Sequence, residues 1–261
     1  MLNKLLKHEF KATSRYIIPL YLILLVVSLL DRIVLSLDIF TGALQIIPGL
    51  LTLAYVVSVI GVIAATFILM IMRFYKNLMS DEGYLMFTLP VNPDRLIISK
   101  LVVSVIWILA SVAAVIASLF LVFATPGNMQ SFWQIVDKII NELAVVFNDR
   151  SALLIIEFCV MLLISIVQNI LMIYTSIAVG HLFNGHKLAG SLIAYVCISI
   201  AVQIAVTAIL LIGGHFFHRA FDEMDSILDI VFPAGIVISL ILSTAYFFTT
   251  NKIFKRRLNL E

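Results

Sequence analysis

The sequence predicts an all-α, polytopic membrane protein with six transmembrane helices, and three observations carry that prediction. Of its 261 residues 62% are hydrophobic and only 12% charged, half the roughly 25% charge of an ordinary soluble domain. Six apolar runs, each long enough for the ~20 residues that cross a bilayer as a helix, alternate with short polar segments. Of the 17 Lys and Arg residues, thirteen fall in residues 1–15, 73–100, 181–190 and the C-terminal tail, and four in the segments between. Basic residues collect on the cytoplasmic side, so this asymmetry predicts a multi-pass protein of the cell membrane with both termini cytoplasmic. The basic residues form no continuous stripe, which argues against nucleic acid as a partner.

Residues 1–15, MLNKLLKHEFKATSR, place Leu2, Leu5, Leu6 and Phe10 at helical spacing, with Asn3, Lys4, Lys7, Glu9 and Lys11 opposite. That pattern predicts an amphipathic helix on the membrane surface, its apolar face in the headgroup layer. A secretory signal is a poor fit, because no small-x-small cleavage site follows the first apolar run. Residues 16–37 are therefore read as an uncleaved first span, with Pro19 in its first turns and with Asp31 and Arg32 near its far end, snorkelling or pairing at the interface.

The second span covers residues 46–72, where Gly61 and Ala65 offer a small-residue face for close helix approach. Residues 73–100 form the long polar interruption. Within them Asn92-Pro93-Asp94 has the composition of a helix start: a capping side chain, proline at the first helical position and an acid in the first turn. The third span, 96–124, repeats Ala110, Ala114 and Ser118 at every fourth position. Residues 129–150 follow as an external amphipathic segment that interleaves Phe132, Trp133, Ile135 and Ile139 with Gln134, Asp137, Lys138 and Glu142.

The fourth span, 152–179, carries Glu157, Gln168 and Asn169; a polar connection at 181–190 leads to a fifth span ending near Leu211. A second external segment, 213–229, contains HFFHRAFDEMD. The sixth span, 230–249, has Gly235, Ser239 and Ser243 on one face and ends in the tail NKIFKRRLNLE. Cys159 and Cys197 both lie inside apolar runs, where they pack as small hydrophobes.

The sequence contains no phosphate-binding loop of the GxxxxGK[ST] type, no HExxH and no GxSxG. ATP hydrolysis by this chain is therefore not expected, and neither a metal nor a bound cofactor is assigned. His215, His218, Asp222, Glu223 and Asp225 gather metal-ligand side chains on one external segment, but the pattern reads as an interfacial turn. An acid inside a span is costly unless it is paired or hydrated, which makes Glu157, with Gln168 and Asn169 deeper in the same span, the candidate lining of a translocation path.

The most informative stretch is RFYKNLMSDEGYLMFTLPVNPDRLIISK, residues 73–100. It sets Tyr84-Leu85-Met86-Phe87 among charges, a cluster too short to cross a bilayer and so in need of cover. Ser80 can cap a helix with Asp81 and Glu82 in its first turn, and Pro90 ends it after about two turns. A helix that short is marginal alone in water and needs a partner.

This stretch resembles the cytosolic region of bacterial type-2 ABC transporter permeases, in the run Asp81-Glu82-Gly83-Tyr84-Leu85-Met86-Phe87-Thr88-Leu89-Pro90-Val91. The resemblance implies that residues 1–261 form a single transmembrane permease domain. It also implies a short coupling helix here, with Asp81, Glu82, Gly83, Tyr84, Leu85, Met86, Phe87 and Pro90 at the interface to a separate ATP-binding subunit. Such complexes pair two permease halves, identical or paralogous, with two ATP-binding subunits that hold ATP and magnesium. Export of an amphipathic or peptide-like compound is what the resemblance implies for function. Two other readings stand beside it: an intramembrane enzyme using Glu157 and the external histidines, and an ion-coupled secondary transporter.

Overall fold

Helical periodicity runs through almost every residue that the computed structural model describes: 2–37, 46–79, 93–123, 126–147, 151–183, 187–216 and 224–256. Seven helices follow in chain order: α1 Leu2–Ser36, α2 Ile46–Met79, α3 Pro93–Phe123, α4 Pro126–Phe147, α5 Ser151–Gly180, α6 Lys187–Phe216 and α7 Met224–Arg256. All but α4 are long and apolar enough to cross a membrane. Helix α3 starts at Pro93 with Asp94 in its first turn, as the start signal there predicts.

The helices extend past the predicted spans. Helix α1 is one unbroken element of 35 residues, about 52 Å at 1.5 Å per residue, against a hydrocarbon core of ~30 Å. Residues 1–15 are therefore not a separate surface helix joined by a bend; from Leu2 they continue into the first span. The reason lies in phase. Glu9, Thr13, Ile17, Leu24, Ser28 and Asp31 are the buried residues of α1, and at 100° per residue they fall within an arc of about 100°. Glu9 sits in the middle of the stripe formed by Leu5, Leu6 and Phe10, not opposite it. Leu6 and Phe10 pack on a cluster of Ile17, Met70, Val103 and Trp107, where the sequence reading placed them in headgroups.

The chain divides into two compact units. The first comprises Met1–Arg73 and Ile98–Lys138, which contain α1 and most of α2 and α3. Its three helices meet along narrow stripes: beyond the Trp107 cluster lies a second one of Leu24, Tyr55, Val62 and Val122, with Ala114 packed on it. The small residues of α3 are thus used at the interface as expected. Gly61 is not, for nothing approaches within 4 Å of where its side chain would begin. Phe120 of α3 meets Phe132 of α4 edge-on at 5.4 Å. Elsewhere large apolar side chains such as Leu22, Ile23, Leu53 and Ile60 point outward, the arrangement expected where the solvent is lipid.

The second unit, Phe74–Ile97 and Ile139–Glu261, is built around α5. Residues 170–178 are buried without interruption, so for more than two turns this helix is covered on every side. Helices α6 and α7 both pack on it. The turn into α6 is tight: a Cβ on Gly180 would overlap the backbone of Ser191, and one on Gly190 would lie 3.0 Å from the Gly180 carbonyl oxygen. Glycine at both positions lets the two helix ends meet backbone to backbone. The Gly235, Ser239, Ser243 face of α7 also packs, with Met161 Sδ 3.3 Å from where a Gly235 Cβ would stand and Ser243 buried.

Candidate functional site

In the second unit, the end of α2 meets α5 and α7, and the start of α3 meets α7. At the end of α2, Phe74 stacks on Tyr174 of α5 with ring centroids 3.6 Å apart and planes 6° from parallel. Phe254 of α7 tilts against the same ring at 6.1 Å. The next residue, Tyr75, lies 5.2 Å from the ring of His181 at the end of α5, whose Nδ1 is 3.0 Å from the Ile177 carbonyl oxygen. At the start of α3, Leu96 and Ile97 are fully buried, and Asp94 accepts both oxygens' worth of contact from Lys255 Nζ, at 3.3 and 3.4 Å. That ion pair is exposed and contributes at most about 1 kcal/mol; the aromatic contacts carry the anchoring.

Beneath the aromatic layer the α5–α7 contact is locked by hydroxyls. Thr175 Oγ1 donates within α5 to Leu171 O, and it also lies 3.1 Å from Tyr246 O and 3.0 Å from Thr250 Oγ1 of α7. All of these groups are buried. The helix end before residues 80–92 thus rests on an aromatic layer, and the helix start after them is buried at Leu96 and Ile97. Asp81, Glu82, Gly83, Tyr84, Leu85, Met86, Phe87 and Pro90, expected at an ATP-binding partner, lie outside the described residues.

The candidate path residues are all on α5. Glu157 and Gln168 are eleven residues apart, which is three turns and about 16 Å along one face, and both are half-buried. Met161, against Gly235, lies between them on that face, so it is the side of α5 that meets α7. Asn169 points away, exposed, and donates from Nδ2 to Ser165 O at 2.8 Å. The structure therefore brings Glu157 and Gln168 onto one face and leaves Asn169 off it. Of the external group, His218, Asp222 and Glu223 lie outside the described residues; among the described residues no cluster has the makings of a metal site.

The first unit holds what sequence reasoning missed. Glu9 is buried, with Oε1 2.8 Å from Lys100 Nζ and Oε2 3.4 Å from Arg73 Nε. One turn on, Thr13 accepts from Trp107 Nε1 at 2.7 Å. The ladder continues through Tyr21 to Ser111 (2.8 Å), Ser111 to Thr66 (2.9 Å), Tyr55 to Ser118 (3.0 Å) and Thr52 to Asp31 (3.0 Å). Arg32 donates to the Leu121 carbonyl at 2.6 Å. Asp31 and Arg32 thus both have partners on the neighbouring helices. Each interhelical hydrogen bond in an apolar medium contributes roughly 0.6 kcal/mol, but their spacing along the unit fixes the register of three otherwise smooth helices.

Six apolar spans and buried polar ladders between them define a multi-pass helical membrane protein. Comparison of the chain with protein-family models, with curated proteins and with solved structures finds no match.

Proposed function

We propose that this chain is the membrane-spanning subunit of an ATP-driven transporter of the type-2 ABC permease kind. It resides in the cell membrane with both termini cytosolic, and it exports an amphipathic or peptide-like compound. The observation that carries this reading is the run Asp81–Val91 between α2 and α3, an apolar cluster bracketed by charge on the basic side of the chain. Two ATP-binding subunits and a second permease half, identical or paralogous, complete the transporter, and ATP with magnesium binds on those subunits.

The anchoring of the flanks supports a mechanical role for this segment. ATP binding closes the partner subunits and moves the short helix over residues 80–90. Because Phe74 is stacked on Tyr174 and tilted against Phe254, and Leu96 and Ile97 are buried at the start of α3, the displacement passes into α5 and α7 as a rigid-body tilt instead of being absorbed by a slack loop. Helix α5 carries Glu157 and Gln168 on the face it turns to α7, so a tilt there changes the exposure of the polar groups along it.

The test is purification of the tagged chain from its native membranes. A stoichiometric ATP-binding subunit, with ATP hydrolysis that responds to the transported compound, supports the proposal. A chain that purifies alone and retains its activity would instead favour an intramembrane enzyme or an ion-coupled transporter.

A further inference from the structure

We infer that a basic pocket between α1 and α2 binds the phosphate of an anionic phospholipid headgroup. The pocket has a volume of about 290 Å³ and is lined by His8, Lys11, Ala12, Arg15 and Tyr16 of α1 and Arg73 of α2. The α1 residues recur at helical spacing on the flank beside the Glu9 stripe, so the pocket follows from the same packing that buries Glu9.

Charge sets the ligand's sign. Three cations and a histidine line the pocket, and no carboxylate does. Glu9, the acid joined to it through Arg73, is shared with Lys100, so one negative charge faces two positive ones there. Lys11 and Arg15 have no acidic partner among the described residues. The site therefore carries an uncompensated positive charge, and Arg73 is held in place by Glu9 before any ligand arrives.

Depth sets the ligand's source. Arg15 is the last charged residue before the apolar run that begins at Tyr16 and continues to Leu30. A span that begins there puts the pocket at the level where lipid phosphates lie, with the exposed Tyr16 ring at the boundary. A basic pocket between helices at that depth suits an anionic headgroup. The inference needs only that the chain spans a membrane, and it stands or falls independently of the transport reading.

The experiment titrates the full-length protein, in neutral detergent, with phosphatidylglycerol or phosphatidylcholine and counts bound lipids by native mass spectrometry. Two variants remove the same charge: Lys11→Gln with Arg15→Gln inside the pocket, and Lys4→Gln with Lys7→Gln on exposed positions of α1 outside it. Wild type should bind its first phosphatidylglycerol in preference to phosphatidylcholine. The pocket pair should weaken that step by about thirtyfold, roughly fivefold per cation, while the outer pair changes it by less than about twofold. Equal losses in the two pairs, or no preference for phosphatidylglycerol, would overturn the site. Displacement of the lipid by millimolar inorganic phosphate would reassign it to a soluble anion.

Discussion

Phe74 and Tyr174 lie face to face, centroids 3.6 Å apart and planes within 6° of parallel, near the end of α2 in the second unit. Both rings are buried to within about 1% exposure, and they join elements a hundred residues apart in sequence. Truncating Phe74 to Ala should cost about 3 kcal/mol, in the range for a buried aromatic. Phe74→Leu, which keeps the volume, should cost about 1 kcal/mol. Reversible unfolding in mixed micelles measures both, and a Phe74→Ala variant as stable as wild type would show that this contact does not anchor α2.

Glu9 supplies a second stability test. Lys100 is only 4% exposed, so Glu9→Gln takes the carboxylate away from a buried cation, and breaking a buried pair in this way typically costs about 3–5 kcal/mol. Glu9→Gln combined with Lys100→Met removes both charges and should recover most of that loss. The double-mutant cycle should therefore be strongly non-additive; simple addition of the two single effects would contradict the pairing.

The glycines make a controlled comparison. Gly180→Ala drives a methyl into the Ser191 backbone and should destabilise by about 2 kcal/mol, as overpacking does. Gly61→Ala meets nothing within 4 Å and lies inside a helix, where alanine is favoured by roughly 0.5–1 kcal/mol. Opposite signs are expected in the same unfolding assay. A neutral Gly180→Ala would mean that α5 and α6 do not meet as closely as described.

The fold was legible because hydrophobic length is a one-dimensional signal: six apolar runs read directly as six long helices, and Asn92-Pro93-Asp94 marked the start of α3. The burial of Glu9 was less so, although its phase between Leu5, Leu6 and Phe10 was available in the sequence. An acid among lysines reads as a surface charge until a helix phase is carried through from residue 2 to residue 31. The Phe74–Tyr174 and Tyr55–Ser118 contacts had no sequence signal at all. Aromatic and hydroxyl residues occur throughout these spans, and only packing decides which of them meet. Gly61 shows the converse, a small residue whose open side nothing among the described residues approaches.

Topology can be tested by labelling single cysteines from one side with an impermeant thiol reagent, after serine replaces the exposed Cys159 and Cys197. Cysteine at Asn77, near the end of α2, should react from the cytosolic side and cysteine at Gln130, exposed on α4, from outside. Labelling of both from the same side would overturn the orientation drawn from the basic residues.

The central claim is that residues 80–90 dock an ATP-binding subunit, and the most direct measurement is ATPase association with Phe87→Ala and Gly83→Pro variants in intact membranes. A buried aromatic anchor at an interface contributes ~2 kcal/mol or more, so Phe87→Ala should weaken association at least about tenfold. Gly83→Pro keeps every aromatic and acts only on the helix proposed for this segment, so it should lose the partner or its substrate-stimulated hydrolysis to a similar degree. Both variants should insert normally. Wild-type association and stimulated hydrolysis in both would contradict the account, leaving this segment a headgroup-layer loop with no role in transmission.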